Sequence, residues 1–397
     1  MNNSFQKYNF DEIVSRENTF SVKYDGREKY FGSSDLIPMW VADMDFKTPH
    51  FVTEAVKQRA EQEIYGYSFR PDLYFESIIS WFSRRHDWTI EREWINFTPG
   101  IVPALNILIQ TFTTEEEKIL VQPPVYHPFF SAIENNHREL VINPLVLENG
   151  RYKMDFQDMD AKLATGVKMI LFSNPHNPVG RAWEAEELKT FGNLCRKHDV
   201  LVVSDEIHCD LVLPAFKHSP LARVFKEYSE KIITCIAPSK TFNLAGLATS
   251  SIIIENEKIR EQYAEMIEKL HIGMGNLFGT TASIAAYTKG DDWLDQLMIY
   301  IQENVDLVQD FLVKRIPEVH LIKPEATYLL WLDFRDLKIE KSSLKEFMIH
   351  TAKLGFNDGS TFRNGGDGFQ RMNVACPRQT VENALVRLEI AVNKLKT

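Results

Sequence analysis

Residues 200–208 have the sequence VLVVSDEIH, and residues 232–243 have the sequence IITCIAPSKTFN. Each stretch begins with an uninterrupted apolar run, which is typical of a strand buried on both faces. Polar residues follow each run: Asp205 comes after the first, and Lys240 comes a few residues after the second. Strands of this kind belong to parallel sheets that helices cover on both sides, so the two stretches predict an α/β fold.

The surrounding sequence repeats this alternation of strands and helices from about residue 48 to residue 290. Further strands are predicted at residues 94–97, 119–121, 169–172 and 251–254, and helices at residues 48–60, 103–111 and 184–198. Because alternation of this kind implies a mostly parallel sheet, this part of the chain predicts one large α/β domain.

The rest of the chain has a different pattern. A long helix is predicted at residues 292–315, followed by strands near 327–334 and 370–374 and by helices near 342–354 and 379–395. Residues up to about 47 look irregular. We therefore predict three segments: an arm with part of a small domain (1–47), the large domain (48–290) and a small α+β domain (291–397).

The composition limits the expected partners and location. The formal net charge is −10, and a negative protein repels phosphate backbones, so nucleic acid is not an expected partner. The apolar runs are shorter than the roughly 20 residues that span a bilayer, and polar residues 1–16 lack a secretory apolar segment. Four cysteines without a CxxC pair are typical of reduced thiols. We expect a cytoplasmic protein and predict neither a membrane association nor a metal site.

Polar residues after the strands are expected to share one edge of the sheet, because ligands of open parallel sheets bind beyond the carboxyl ends of the strands. Asp205 caps a following helix in one interpretation; in the other it faces a cationic ligand atom, with His208 one helical turn further on. Lys240 is either a solvated surface charge or an amine in low-dielectric surroundings. In the second case it loses its proton easily and attacks a carbonyl carbon.

Three further strand ends supply groups of the same kind. After residues 169–172, two Asn-Pro steps and a glycine fix a rigid turn, which either serves the turn alone or also holds the Asn177 amide in one direction. Tyr126 either packs in the core or stacks on a flat ring. The small residues around Gly100 leave backbone N–H groups free for an anion, although the sequence has neither a GxxxxGK[ST] motif nor a GxGxxG motif after a strand.

Together these strand ends offer an amine, a carboxylate, a fixed amide, an aromatic ring and an anion nest. Pyridoxal 5′-phosphate (PLP) needs this set: a lysine that forms an imine, an acid for the pyridine nitrogen and a cradle for the phosphate. The sequence therefore predicts a PLP enzyme in which Lys240 carries the cofactor as a Schiff base.

Several short motifs resemble those of fold-type I PLP enzymes of the aspartate aminotransferase superfamily. SNPHNPVG (173–180), SDEIH (204–208) and APSKTFNLAGL (237–247) resemble the superfamily. VADMDF (41–46), YGY (65–67), PPVYHPF (123–129), SDEIHCDL (204–211), PSKTFN (238–243) and MNVACPR (372–378) resemble the MalY/PatB family of cystathionine β-lyases. The match runs from about Trp40 to Arg378. It implies a large domain with a mostly parallel seven-stranded sheet flanked by helices, plus a smaller α+β domain.

The resemblance also implies a role for each matching position. Lys240 would be the catalytic, cofactor-carrying lysine and Asp205 the partner of the pyridine nitrogen. Arg371 would bind the substrate α-carboxylate through its planar fork, whereas the residues alone favour a surface charge on a strand. The other implied contacts are Asn177 at the ring hydroxyl and the substrate, His208 beside it, Tyr126 on the ring, Gly100, Ile101, Val102 and Ser239 at the phosphate, and Tyr67 at the phosphate of the neighbouring subunit in a homodimer.

The implied reaction is β-elimination from a small amino acid, L-cystathionine or a related cysteine S-conjugate, to a thiol, pyruvate and ammonia. Many aminotransferases carry an arginine for the phosphate in an SKxxxxxGxR motif. This chain has LAGLAT at residues 244–249, without arginine, which fits the lyase branch. Two alternatives stay open: a PLP-dependent aminotransferase, and a regulatory binding protein that retains the PLP fold.

Overall fold

The computed structural model describes residues 7–396, except for the side chains at positions 341 and 342. Its central sheet has seven strands: β1 (Ile95–Thr98), β2 (Lys118–Val121), β3 (Glu139–Ile142), β4 (Val167–Ser173), β5 (Leu201–Asp205), β6 (Ile232–Ile236) and β7 (Ser250–Ile254). Their spatial order is β1-β7-β6-β5-β4-β2-β3. Neighbours pair in parallel except at β7, which runs antiparallel to both β1 and β6. The predicted seven-stranded, mostly parallel sheet is confirmed.

Alternate residues of these strands face two separate hydrophobic clusters. In β4, Ile170 and Phe172 belong to one cluster, whereas Met169 and Leu171 belong to the other. A strand buried on both faces has no polar side to present to water. This explains why residues 169–172 of β4 and 201–203 of β5 are unbroken apolar runs that end in Ser173 and in Ser204 and Asp205.

The helices that accompany the sheets lie in the positions that the sequence predicts, and several more are present. The α-helices are Arg27–Phe31, His50–Ala60, Asp72–His86, Ile101–Phe112, Pro128–Asn135, Phe156–Leu163, Ala185–Lys197, Leu221–Val224, Pro238–Thr241, Glu257–Lys269, Leu277–Lys289, Asp291–Arg315, Lys341–Glu346 and Arg378–Leu395. Short 3-10 turns lie at Arg92–Trp94, Lys226–Lys231, Ala245–Leu247, Arg335–Leu337 and Gly359–Phe362. Within the described part of the chain, no helix is both long enough and apolar enough to cross a bilayer.

A second, antiparallel sheet follows the long helix Asp291–Arg315. It contains β8 (His320–Ile322), β9 (Leu329–Asp333), β10 (Asn357–Asp358) and β11 (Phe369–Asn373) in the order β8-β9-β11-β10. Two pairs of short strands lie outside both sheets: Ile37–Pro38 pairs with Leu354–Gly355, and Val146–Glu148 pairs with Arg151–Lys153.

We propose the three predicted segments as the domain division. The pairing of Ile37–Pro38 with Leu354–Gly355 supports an arm that joins the small domain. The change from the first sheet to the second across the long helix supports a boundary near residue 290. The polar segment at residues 1–16 falls partly, and the end of the small domain at residue 397 entirely, outside the described residues.

Three local predictions were wrong. The arm is not irregular throughout, since it contains the helix Arg27–Phe31 and the short strand Ile37–Pro38. The helix predicted at 342–354 ends at Glu346 and continues as a π-helix, Phe347–Ala352. No helix follows β5; residues 207–210 form a turn, so His208 does not lie one helical turn beyond Asp205.

Candidate active site

One cavity of about 210 Å³ lies at the edge of the large sheet where the parallel strands end. Its walls include nine of the predicted site residues: Gly100, Ile101, Val102, Tyr126, Asn177, Asp205, His208, Ser239 and Lys240. They come from five separate strand ends. These side chains lie together because the carboxyl ends of the parallel strands meet at the same edge of the sheet, as the sequence predicts.

Lys240 lies in the short helix Pro238–Thr241, directly after β6. Its Nζ atom donates a 2.7 Å hydrogen bond to the carbonyl oxygen of Ala42, and the Tyr328 hydroxyl donates to the same oxygen at 3.1 Å. Burial, opposed by the charge of Asp43 and assisted by that of Arg371, lowers the pKa of Lys240 to about 8. The interpretation of Lys240 as a solvated surface charge is wrong. With this pKa, about a tenth of the amine is neutral at pH 7, a far larger fraction than in an ordinary lysine of pKa about 10.4.

Asp205 is the last residue of β5, and its side chain is buried against the cavity. Burial raises the pKa of its carboxyl group to about 7, although the backbone N–H of Ile207, at 3.2 Å, favours the ionised form. The helix-cap interpretation is wrong because the chain forms a turn there. Burying a carboxylate without a cation in hydrogen-bond contact costs free energy. An unpaired buried carboxyl group is therefore expected where a ligand supplies the cationic atom.

Arg371 lies in β11 of the small domain and is only 3% exposed. It donates hydrogen bonds to neutral oxygens: Asn177 Oδ1 at 2.9 Å, Asn357 Oδ1 at 2.7 Å and the Trp40 carbonyl at 3.0 Å. Among residues 7–396 it forms no ion pair, and its Nε atom has no hydrogen-bond partner. The surface-charge interpretation is wrong. A buried guanidinium without a carboxylate beside it is suited to bind a carboxylate from a ligand.

His208 and Tyr126 form further walls of the cavity. His208 is buried, and burial together with the positive charges of Lys240 and Arg371 lowers its pKa to about 3, so the ring is neutral. Its Nδ1 atom lacks a hydrogen-bond partner within the described chain. The Tyr126 ring contacts Phe129 edge to face at 6.2 Å between ring centres, and Tyr126 also lines the cavity, so it packs against the core beside the space for a ligand.

Three of the residues predicted to bind the phosphate, Gly100, Ile101 and Val102, lie at the start of a helix. Helix Ile101–Phe112 begins after Gly100, so the backbone N–H groups of Ile101 and Val102 have no acceptor within the helix. A helix start is favourable for an anion. Three hydroxyl groups complete the wall, from Ser239, Thr249 and Ser250. Sequence reasoning missed the last two. Because β7 is antiparallel, its amino end, rather than its carboxyl end, lies at this edge of the sheet.

Tyr67 does not line this cavity. Its side chain is 96% exposed and lies in another depression, together with Met274 and Thr280. Within a single chain, therefore, the structure does not bring Tyr67 to Lys240. Its predicted role requires a second copy of the chain.

A buried polar cluster lies next to the helix that carries Lys240. His86, Cys209 and Asp210 are close enough to hold a metal ion. However, Asp210 already accepts hydrogen bonds from Trp81 at 2.9 Å, His86 at 2.7 Å and Thr241 at 2.8 Å. These three donors satisfy the carboxylate, so hydrogen bonding alone accounts for the cluster.

The residues of the cavity fit PLP. The amine with its lowered pKa suits an aldehyde, the buried acid suits a protonated ring nitrogen, and the helix start with three hydroxyls suits a phosphate. The unpartnered Nδ1 atom of His208 and the unpaired charge of Arg371 show that the site is built for polar groups that the chain itself does not supply.

The fold and this site define a class of protein, and the chain belongs to the aminotransferase class I and II family, whose model matches residues 34–388. Within it, the chain belongs to the MalY/PatB family. It is 41% identical over 386 residues to cystathionine beta-lyase PatB of Bacillus subtilis (strain 168), covering 97% of this chain and 100% of the relative. It is 32% identical to protein MalY of Escherichia coli (strain K12), covering 98% and 100%. The crystal structure of a PLP-bound C–S lyase from Staphylococcus hominis has a TM-score of 0.92 and 36% identity, covering 98% of each chain.

Proposed function

We propose that this chain is a PLP-dependent carbon–sulfur β-lyase that acts on L-cystathionine or a related cysteine S-conjugate. The observation that carries the proposal is that Lys240 and Asp205 line one cavity, while the anion-free Arg371 lies 2.9 Å from the side-chain oxygen of Asn177 in its wall. The names of the relatives and of the similar structures, cystathionine beta-lyase and PLP-bound C–S lyase, support the same reaction. The elimination gives a thiol, pyruvate and ammonia.

When bound, PLP supplies an electron sink that stabilises negative charge at the substrate α-carbon. Asp205 would hold a proton on the ring nitrogen, since an ionised carboxylate beside a protonated ring is a charge-assisted hydrogen bond. Asn177 and the neutral His208 would orient the ring, Tyr126 would stack on it, and the backbone of residues 100–102 with Ser239 would hold the phosphate. These assignments follow from the walls of the cavity.

Arg371 and Lys240 would have different roles toward the substrate, one in binding and the other in proton transfer. Arg371 would bind the α-carboxylate, with Asn177 Oδ1 fixing the guanidinium at 2.9 Å. The Lys240 amine, with its lowered pKa, would take the α-proton as a general base. Loss of the thiolate from the β-carbon then completes the elimination, and the proton held by Lys240 passes to the thiolate to give the thiol. One water hydrolyses the released enamine to pyruvate and ammonia.

The deciding experiment measures pyruvate from L-cystathionine in the absence of any keto acid. The lyase releases pyruvate continuously, because elimination needs no acceptor. An aminotransferase needs a keto-acid acceptor for each turnover, so release that depends on one would contradict the proposal. Lys240→Ala should lose both the turnover and the visible absorbance of the lysine-linked cofactor. Lys314→Ala, on the exposed face of the long helix, is the control.

We further propose that the active unit is a homodimer in the cytoplasm. Large apolar side chains are exposed in two segments of the chain, residues 64–73 and 270–274, namely Ile64, Tyr65, Tyr67, Phe69, Leu73, Leu270 and Met274. Arg70 joins the two segments by donating to the Met274 carbonyl at 3.2 Å. Exposed apolar patches of this kind mark interfaces. All four cysteines are free and buried, which supports a reducing compartment.

A further inference from the structure

The loop at residues 40–46 contacts both principal cationic groups of the site. Its Trp40 carbonyl accepts from Arg371 at 3.0 Å, and its Ala42 carbonyl accepts from Lys240 at 2.7 Å. The catalytic lysine and the substrate-binding arginine therefore rest on backbone groups only two residues apart. A small shift of this loop would move the acceptors of both.

Two asparagines hold the inner side of the loop. Asn373 of β11 donates to the carbonyls at positions 41 and 43, at 2.6 and 2.7 Å. Asn243 donates to the carbonyls at positions 44 and 46, at 3.0 and 3.1 Å. The loop is thus tied to both domains through its backbone.

Two cations of the N-terminal arm pair with two carboxylates of the loop, and we call these four side chains the arm latch: Arg16, Lys23, Asp43 and Asp45. Arg16 donates to Asp43 at 2.6 and 2.9 Å and to Asp45 at 2.8 Å. Lys23 is fully buried, donates to Asp45 at 2.9 Å and lies 3.8 Å from Asp43. Burying two cations and two carboxylates costs desolvation energy, so stability alone is a weak reason for the latch.

We propose that the arm latch is a positioning device for Lys240, in which the Arg16–Asp43 pair fixes the loop, its Ala42 carbonyl orients the amine, and the Asp43 charge acts on that amine. The inference rests on the function proposed above. If the proposal holds, the N-terminal arm controls the position and protonation of Lys240 and does not only cover the site.

Charged and titratable groups face the Lys240 amine, or the carbonyl that holds it, from every element packed around it. They are Asp43 from the loop, Asp205 and His208 from the end of β5, and Arg371 and Tyr328 from the small domain. Asp43 and Asp205 favour the protonated form of the lysine nitrogen, and Arg371 opposes it. The latch as a whole has no net charge, so removing one member leaves a local excess of the other sign.

Two holoenzyme variants test the proposal with opposite expected signs. Asp43→Asn leaves a positive excess, so the nitrogen of Lys240 should lose its proton at lower pH. Arg16→Met leaves a negative excess, so the proton should be lost at higher pH. The readout is the pH midpoint of the visible absorbance change of the lysine-linked cofactor. We expect shifts on the order of half to one pH unit in opposite directions.

Glu17→Gln is the matched control, since it breaks another ion pair of the arm, Arg27–Glu17 at 2.9 Å, that does not touch the loop. Its midpoint should equal that of the wild type. The double variant Arg16→Met with Asp43→Asn restores the charge balance, so its midpoint should lie between those of the two single variants. Arg16→Gln replaces Arg16→Met, and Asp43→Ser replaces Asp43→Asn, where the first variant does not fold. Midpoints that do not move, or that move the same way in both single variants, overturn the proposal. A wild-type protein without a visible band would instead overturn the proposed function.

Discussion

The Arg371 guanidinium donates a 2.9 Å hydrogen bond to the side-chain oxygen of Asn177, and this contact joins β11 of the small domain to the turn after β4 of the large sheet. The two residues have different proposed ligands, the substrate carboxylate and the ring of the cofactor. Because they contact each other, the position of the substrate carboxylate and the orientation of the ring are fixed together. The site therefore depends on both domains.

Arg371→Lys tests the substrate-binding role. A lysine keeps the charge but loses the planar fork that binds a carboxylate with two hydrogen bonds. We expect kcat/KM to fall by roughly 30- to 100-fold, equivalent to about 2–3 kcal/mol, mainly through a higher KM. The cofactor absorbance should persist. Arg363→Gln, which removes a partly exposed arginine paired with Glu134, should leave kcat/KM unchanged. An unchanged KM in the lysine variant would rule out this role.

Asp205→Asn tests the partner of the ring nitrogen. Asparagine keeps the shape and can still accept from the N–H of Ile207, but it carries no negative charge. The loss of a buried charge-assisted hydrogen bond should weaken cofactor binding and lower kcat by about 100-fold or more. The control is Glu206→Gln, which removes the neighbouring buried carboxylate that binds Ser204 and His218 instead. Equal losses of kcat in both variants would indicate a general effect of buried charge.

The sequence predicted the residues that follow apolar strands well, because a polar residue after a doubly buried strand stands out. Asp205 and Lys240 were found in this way. It missed Ser250, because the rule of carboxyl ends assumes parallel strands and β7 runs the other way. It also missed Ala42 and Tyr328. Ala42 contributes a backbone carbonyl, and Tyr328 reaches it from nearly 300 residues away, so neither leaves a local pattern.

Mixing two inactive variants tests whether Tyr67 acts across the interface. If each site combines its own Lys240 with the partner's Tyr67, a heterodimer of Lys240→Ala and Tyr67→Phe chains has one intact site. Statistical reassortment gives half heterodimers, so roughly a quarter of all sites should regain wild-type turnover. Activity that never exceeds the mean of the two parent preparations would show that Tyr67 does not act in trans. Leu395→Ala, at an exposed position at the end of the last helix, should not alter the reassortment.

His176→Gln tests a pH-dependent contribution to stability. His176 is fully buried; burial lowers its pKa to about 4, and its Nε2 atom lies 3.0 Å from the Pro124 carbonyl. In the unfolded chain a histidine titrates near pH 6.5, so between about pH 6.5 and 4 the unfolded state binds more protons. The contribution of His176 to the free energy of unfolding is therefore larger above about pH 6.5 than below about pH 4. Its share of the free energy of unfolding is lost as the pH falls from about 6.5 to 4. Asp205, whose carboxyl pKa is raised to about 7, acts in the opposite sense, because its buried protonated form favours the fold as the pH falls.

Comparing the variant with the wild type cancels the contribution of Asp205 and of every other group. Glutamine can still donate to the Pro124 carbonyl but does not titrate. Between pH 7 and pH 5, the free energy of unfolding in urea should fall by about 2 kcal/mol less in His176→Gln than in the wild type. The exposed residue His50, changed to Gln, is the control and should match the wild type. If the two histidine variants lose stability equally between these pH values, His176 does not carry this part of the acid sensitivity.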